Sequence, residues 1–463
     1  MLRDRYDEDK FFMAILALTS EMDPALAQID AILDDDDIFQ MIKHDFSQRH
    51  PQTMKTGRNS TPVEVTLRLL VVKRLYNWSY EKTVWHVRDS LVLRLFCRVY
   101  FETVPDDKTL LRWANLIAPA TLAALNARVT KIATELKVTR GRKLRTDGTV
   151  VETNIHYPTD SSLLADGVRV LSRTLKRAHK LLQETTDLTK ETFRDRTRSA
   201  RRAARQIGNR ARRGKMAAQK TYRRLLNTTK ASVDQAQQVL ETLKETADAA
   251  AEGLRETLET FIPRVEQVIN QIVRRVFQDE KVPAAEKLVS IFEPHTAIIK
   301  RGKVNRDTEF GHKVWLDEVD GGIISNYRIL EGNPADSDQW QPSLDHHVQQ
   351  FARPPDQASA DRGVYSAPNE AYATDLGVKR VILPKPGTKS DARRDHERQR
   401  WFKRGRRWHA GVEGRISVGK RKHGLGRCLN HDEDGFARWV GWGIITANLD
   451  VMGRNLADRA ARA

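Results

Sequence analysis

The chain has 463 residues, with 79 Lys and Arg against 61 Asp and Glu, a formal net charge of +18 and 40% hydrophobic content. That length excludes a small single-core module and leaves room for two to four domains at roughly 100–200 residues each, with enough apolar residues to bury real cores. The cationic excess points to a polyanionic partner without specifying any chemistry.

Cys97 and Cys428 lie far apart and neither has a CxxC neighbour, so neither a disulfide framework nor a zinc knuckle is supported, and a reducing compartment fits. The apolar run 11–18 follows a stretch of mixed charge rather than a positive one and reads as an ordinary helix, not a signal peptide. No window approaches the roughly 18 uncharged apolar residues of a membrane span. A soluble cytoplasmic protein without a membrane partner is expected.

Residues 1–135 read as a helical N-terminal domain. Val65, Leu69, Val72, Leu75 and Tyr76 fall near one face of a helix at 63–76, after the start signal Ser60-Thr61-Pro62. Shorter helices are expected at 79–86 and 90–100, and Pro105-Asp106-Asp107-Lys108-Thr109 caps another holding Leu110, Leu111 and Trp113. Such density predicts a helix-turn-helix kind of module that reads a DNA groove. A helical subdomain that packs on a neighbour is the alternative.

At Lys143 the texture changes. Residues 144–155 have strand propensity and partial alternation, with Asp147 in the first half. Helical character then runs from 161 to about 277 and is split by charge. Between Arg194 and Arg224 thirteen Lys and Arg face one acid, Asp195, while between Asp234 and Glu259 seven acids face only Lys244 and Arg255. Leu240, Leu243, Ala247, Ala250, Leu254, Leu258, Phe261, Val265, Val268 and Ile272 recur at spacings of three and four, close to a heptad seam. The expectation is an antiparallel, coiled-coil-like helical hairpin, basic helix against acidic helix. The acids can neutralise only about half of the cations, so Arg201, Arg202, Arg205, Arg210, Arg212 and Arg213 are expected to contact DNA. A solvated basic face balanced by its partner is the bland alternative.

Beyond Pro283 strands alternate with helices. Residues 288–299, 309–319 and 322–330 are strand-like, the last two joined by the turn signal Asp320-Gly321. A helix at 344–351, a strand at 358–363, a helix at 368–376 and a strand at 379–384 follow. A polar loop at 384–394 and helices at 400–418 and 435–454 complete the chain.

Carboxylates are the best lead to chemistry on a polyanion, because no Ser-His-Asp or Cys-His arrangement stands out. Hard divalent cations bind through a few carboxylates plus substrate phosphates, and two such ions can serve both oxygens of an in-line phosphoryl transfer. Asp147 in its strand, Asp361 in Ser359-Ala360-Asp361-Arg362-Gly363, and Glu413 in Trp408-His409-Ala410-Gly411-Val412-Glu413-Gly414-Arg415 stand on separate elements. The neighbouring Gly148, Gly363, Gly411 and Gly414 would let phosphates approach the backbone.

Arg145-Thr146-Asp147-Gly148-Thr149-Val150-Val151-Glu152, the segment from His156 to Leu164, Ala360-Asp361-Arg362-Gly363 and Gly411-Val412-Glu413-Gly414-Arg415-Ile416-Ser417 resemble the DDE transposases of bacterial insertion sequences, nearest the ISNCY-type group. Trp439-Val440-Gly441 and Ala447-Asn448-Leu449 are similar to that family's C-terminal helix, and residues 49–116 to its N-terminal domain. The resemblance implies an α/β RNase H-like catalytic core, a mixed sheet flanked by helices, to which the all-α N-terminal domain and the helical hairpin are added. Its first strand carries Asp147, its fourth Asp361 and a late helix Glu413, together holding two magnesium or manganese ions. Domains are expected at 1–135 (N-terminal), 140–165 and 283–463 (core) and 166–282 (insertion).

By the same resemblance, the protein would bind double-stranded DNA at terminal inverted repeats, hydrolyse a phosphodiester and direct the freed 3′-hydroxyl onto target DNA, as a homo-oligomer associated with the nucleoid. Lys420, seven residues past the glutamate, and Arg415 would touch DNA. Two departures stand out: where relatives carry Tyr and Arg before the glutamate, this chain has His409 and Arg406, and 213 residues separate Asp147 from Asp361. Asp160 is a rival or accessory carboxylate. A nuclease that stops at hydrolysis and a non-catalytic DNA-binding protein are the alternatives.

Overall fold

A computed structural model describes residues 1–19, 21–185, 193–211, 215–246, 248–303 and 306–463. The chain is mostly helical around a mixed six-stranded sheet and divides into two compact units, Met1–Thr153 with His312–Ala463, and Asn154–Gly311.

The first unit opens with helices α1 (Lys10–Thr19), α2 (Pro24–Leu33), α3 (Asp36–Ser47), α4 (Val63–Leu75), α5 (Tyr80–Asp89), α6 (Leu91–Phe96), α7 (Asp107–Ala114) and α8 (Pro119–Glu135). Side chains of Asp23, Asp35, Ser79, Ser90 and Asp106 fix where five of them begin by accepting first-turn N–H groups, donors that a helix otherwise leaves unmet. Helix α4 is buried on every side, which excludes it as a groove-reading helix. Its Arg68 therefore needs internal partners and ion-pairs Asp30 and Asp34 at 2.5 Å each.

The same unit holds α13 (Trp340–Phe351), α14 (Ala367–Asp375), α15 (Asp391–Arg398), α16 (Arg400–Lys422) and α17 (Glu433–Ala460). Helix α17 shares its core with the N-terminal helices and packs on α2, α4 and α8. Gly441 makes that approach possible, since a Cβ there would meet Tyr327 Oη at 2.7 Å and Leu122 Cβ at 2.9 Å. Asn448 donates to Asn126 Oδ1 and to Ile324 O, both at 2.9 Å. Buried polar side chains thus tie both helices to the sheet.

The strands are β1 (Lys143–Glu152), β2 (Ala297–Lys303), β3 (Arg306–Val319), β4 (Ile323–Leu330), β5 (Gln357–Ser359) and β6 (Arg380–Ile382). Their order is β2-β3-β1-β5-β6, with β4 also paired to β3. β1, β5 and β6 run parallel, while β3 is antiparallel to both β2 and β4. The Asp320-Gly321 turn forms as expected, with Gly321 at φ +85° where a Cβ would strike Val138 O. Asp320 also accepts the N–H groups of Arg142 at 2.7 Å and Lys143 at 3.0 Å, which anchors the start of β1.

The second unit holds α9 (Asp160–Thr185), α10 (Thr197–Ala211), α11 (Lys215–Lys244) and α12 (Ala249–Ile272). Here the expected two-helix hairpin is corrected to a four-helix arrangement, in which α9 packs against the other three and α11 against α10 and α12. The apolar repeat does not mark one long seam: α11 ends at Lys244 and Asp248 caps α12 by accepting Ala250 N–H. Ala247 lies outside the described residues. The strand expected at 288–299 begins only at Ala297. Upstream, Leu288 and Ile291 are buried in the helical core, and Gln271 takes both the N–H and the carbonyl of Leu288. A side chain there does the work of a strand neighbour.

Candidate active site

Strand β1 is buried along most of its length, and Asp147 is its one partly open position between Leu144 and Val151. An acid can persist there because it faces a cleft rather than the core. The parallel register pairs Arg145 with Ser359, so two residues further on Asp147 and Asp361 come to neighbouring positions, one strand spacing of about 4.8 Å apart in an ideal sheet. Asp361 lies just past β5, where the chain turns into a short 3₁₀ segment, Arg362–Val364.

Helix α16 covers this face of the sheet. Gly405 seats it on β6, where a Cβ would clash with Ile382 Cδ1. Arg145 then fastens it to β1: the guanidinium meets buried Glu318 of β3 at 2.9 Å and 2.5 Å, donates to the Trp408 carbonyl and lies 4.8 Å from the Trp408 ring centre. One turn beyond, Glu413 is exposed toward the same space. Asp147, Asp361 and Glu413 all line one cleft of about 370 Å³, together with Arg362, Arg406 and His409.

His409 is mostly buried beneath Asp361, its Nε2 3.6 Å from Asp361 Oδ1 and its Nδ1 3.4 Å from Ser359 Oγ. The His409 side chain, with Arg362 behind it, holds the Asp361 carboxyl below the usual carboxylate range despite partial burial. Asp147 Oδ1 accepts Gly148 N–H at 2.7 Å. Three oxygen-donor carboxylates are suited to a hard divalent cation. Among the described residues, however, no group of three or more His, Cys, Asp or Glu closes into a cluster that could hold a metal ion.

Arg406, His409 and Glu413 fall at i, i+3 and i+7 on one face of α16, and that spacing was the signal for cleft-lining residues at 406 and 409. Their departure from the Tyr and Arg of the relatives had hidden them. The glycines serve a different purpose from the one expected: a Cβ on Gly148 would press on Lys313 and Trp315, and one on Gly411 would meet Arg145 Nη1 at 2.6 Å. Gly414 alone of the four has open space beside it.

Other expected site residues lie elsewhere. Arg415, two residues past Glu413, turns to α17 and donates to Ala447 O at 2.9 Å, and burial lowers its pKa. Lys420 is half-buried in the last turn of α16 and does not line the cleft. Asp160 starts α9 in the second unit, buried and paired with Arg275 at 2.7 Å, and burial raises its pKa. Arg201, Arg202 and Arg205 are exposed on α10; Arg210 belongs to that helix, and Arg212 and Arg213 lie outside the described residues.

Residues 15–116 match the family described as a transposase domain, DUF772. No curated protein and no solved structure matches the chain. The domain indicates a transposase role, hence a protein that binds and processes DNA. No helix among the described residues is long and apolar enough to cross a membrane.

Proposed function

Starting from a transposase domain at residues 15–116, we propose that the chain is a DDE transposase of a bacterial insertion sequence, of the ISNCY type, with an RNase H-like core. The observation that carries this reading is the cleft in which Asp147, Asp361 and Glu413, far apart in sequence, share one wall-to-wall space. The strand plan supports it. With β2 set aside, Asp147 lies on the first strand of the sheet and Asp361 just past the fourth, with Glu413 on the helix behind, the order that the sequence resemblance implies.

The protein binds the element's terminal inverted repeats as double-stranded DNA, hydrolyses a phosphodiester at each end, and directs the freed 3′-hydroxyl onto target DNA. Joining two ends calls for a homo-oligomer on DNA. Asp147, Asp361 and Glu413 would hold magnesium or manganese, which when bound supplies charge neutralisation at the scissile phosphate and acidifies an attacking water. Each carboxylate has a distinct local support. Gly148 N–H orients Asp147, His409 lowers the pKa of Asp361 through its hydrogen bond, and Arg145 fixes the helix that carries Glu413. Arg406 and Arg362, cations on the cleft wall, position the DNA phosphate by charge-assisted hydrogen bonds. Catalysis of this kind is positioning plus electrostatics and needs no covalent enzyme intermediate.

The test is a cleavage and strand-transfer assay on DNA carrying the element's ends with magnesium present. Wild type should cut and join, while Asp147→Asn, Asp361→Asn and Glu413→Gln should each lose about a hundredfold or more, the equivalent of several kcal/mol at the transition state. Wild-type rates in all three variants would sink the catalytic assignment. Cutting without joining would leave a nuclease, and binding without cutting an architectural protein.

A further inference from the structure

The second unit treats its two signs of charge differently. Several of its acids find local cations: Glu241 pairs with Lys244 at 2.8 Å, Glu252 with Arg255 at 2.5 Å, Glu286 with Arg274 at 2.8 Å and Asp160 with Arg275 at 2.7 Å. Arg198, Arg201, Arg202 and Arg205 of α10 are in none of the ion pairs among the described residues. Arg194, Lys220, Arg223 and Arg224 are exposed and make no ion pair among the described residues. With Arg196 they line a groove of about 560 Å³ between the start of α10 and the middle of α11.

The single acid in that groove is already committed. Asp195 accepts Thr197 N–H at 2.8 Å, a helix-capping bond that lowers its pKa. Arg196 is held in place by Gln235 Oε1 at 2.6 Å, and the Arg223 guanidinium rests 5.7 Å from the Phe277 ring centre. Along α10 the arrangement continues: Ala200, Ala203 and Ile207 are buried, while Arg198, Arg201, Arg202 and Arg205 are exposed. Uncompensated cations at this density repel one another. A helix pair built this way is suited to an external polyanion, and arginine forks match phosphate oxygens in particular.

We propose that this groove is a docking site for the sugar-phosphate backbone of double-stranded DNA, bound without regard to base sequence. Five of the nine residues that line the groove are cations suited to phosphate, the contact that positions a duplex without reading its sequence. The choice of DNA over another polyanion rests on the transposase reading, and the two can fail separately. The carboxylate cleft is not needed for this contact.

The experiment measures binding of the full chain to a short duplex of unrelated sequence by fluorescence anisotropy over a salt series, without divalent metal. Each lost phosphate contact lowers the slope of log K against log salt by about 0.9. Substituting Arg194, Lys220, Arg223 and Arg224 together by Ala should therefore reduce the magnitude of the slope by about 3.6, and single substitutions of these exposed side chains by about 0.9 each. Lys244→Ala and Arg255→Ala, which remove cations already paired, should leave the slope unchanged. An unchanged slope in the fourfold and single variants, with helix content equal to wild type, would overturn the proposal. So would a duplex RNA of the same length binding more tightly than the DNA through the same four residues.

Discussion

The acid-lined cleft and the cationic groove are built on opposite principles. At the cleft two charges are fixed in direction by protein partners: Arg145 is clasped by Glu318 and the Trp408 carbonyl, and Asp361 lies against His409. In the groove four exposed cations have no ion-pair partner among the described residues. Chemistry at a phosphodiester needs groups held to within fractions of an ångström. Holding a backbone of any sequence needs only charge that can adjust. The difference separates a place for bond-breaking from a place for grip.

The largest contrast should appear on removing one charge from each region. Arg145→Met leaves Glu318 buried without its partner and should destabilise the protein by about 3–5 kcal/mol, whereas Lys220→Ala should stay within about 0.5 kcal/mol, both read by denaturant unfolding. Pairing Arg145→Met with Glu318→Leu should recover much of the stability without recovering cleavage. Recovery of full cleavage would show that the fork is scaffolding only.

A second contrast concerns metal. Because the three carboxylates do not close into a cage on their own, magnesium should bind the free protein weakly and about tenfold or more tightly once DNA phosphates complete the ligand set. Calorimetric titration of the Asp147→Asn and wild-type chains, with and without duplex, checks this. Equal affinity without DNA would contradict it.

The smallest effect is on pH. His409 holds the Asp361 pKa below its ordinary value, so the carboxylate stays ionised as pH falls through the usual carboxylate range. His409→Ala should raise that pKa, and the acid limb of the cleavage profile should move to higher pH by less than about one unit. A limb unmoved in this variant would mean that another group sets it.

Much of this was readable from local chemistry. Asp320-Gly321 announced its turn because a backbone at φ +85° admits few residues other than glycine. Ser79, Ser90 and Asp106 announced helix starts through their side-chain oxygens. What stayed hidden depended on distant partners. Leu288 and Ile291 looked like strand residues because a buried loop and a strand share the same apolar texture, and only Gln271 distinguishes them. The break between α11 and α12 was masked by a repeat that spans both helices. Arg145 stood in plain view two residues before Asp147, yet its importance comes from Glu318 and Trp408, which sequence spacing could not connect to it.

The two-unit division also shapes how the chain can fold. β1 is made early, but its partner β5 follows a segment of 158 residues, Asn154–Gly311, and more. Within that segment Tyr157 and Phe310 meet edge to face at 5.5 Å, so once the helices assemble its two ends are already close. The loop that must close between β1 and β5 then shrinks by the whole of that unit, an entropic saving of about 1 kcal/mol. Substitutions that loosen the helical unit should therefore slow formation of the sheet even where they touch no residue of it.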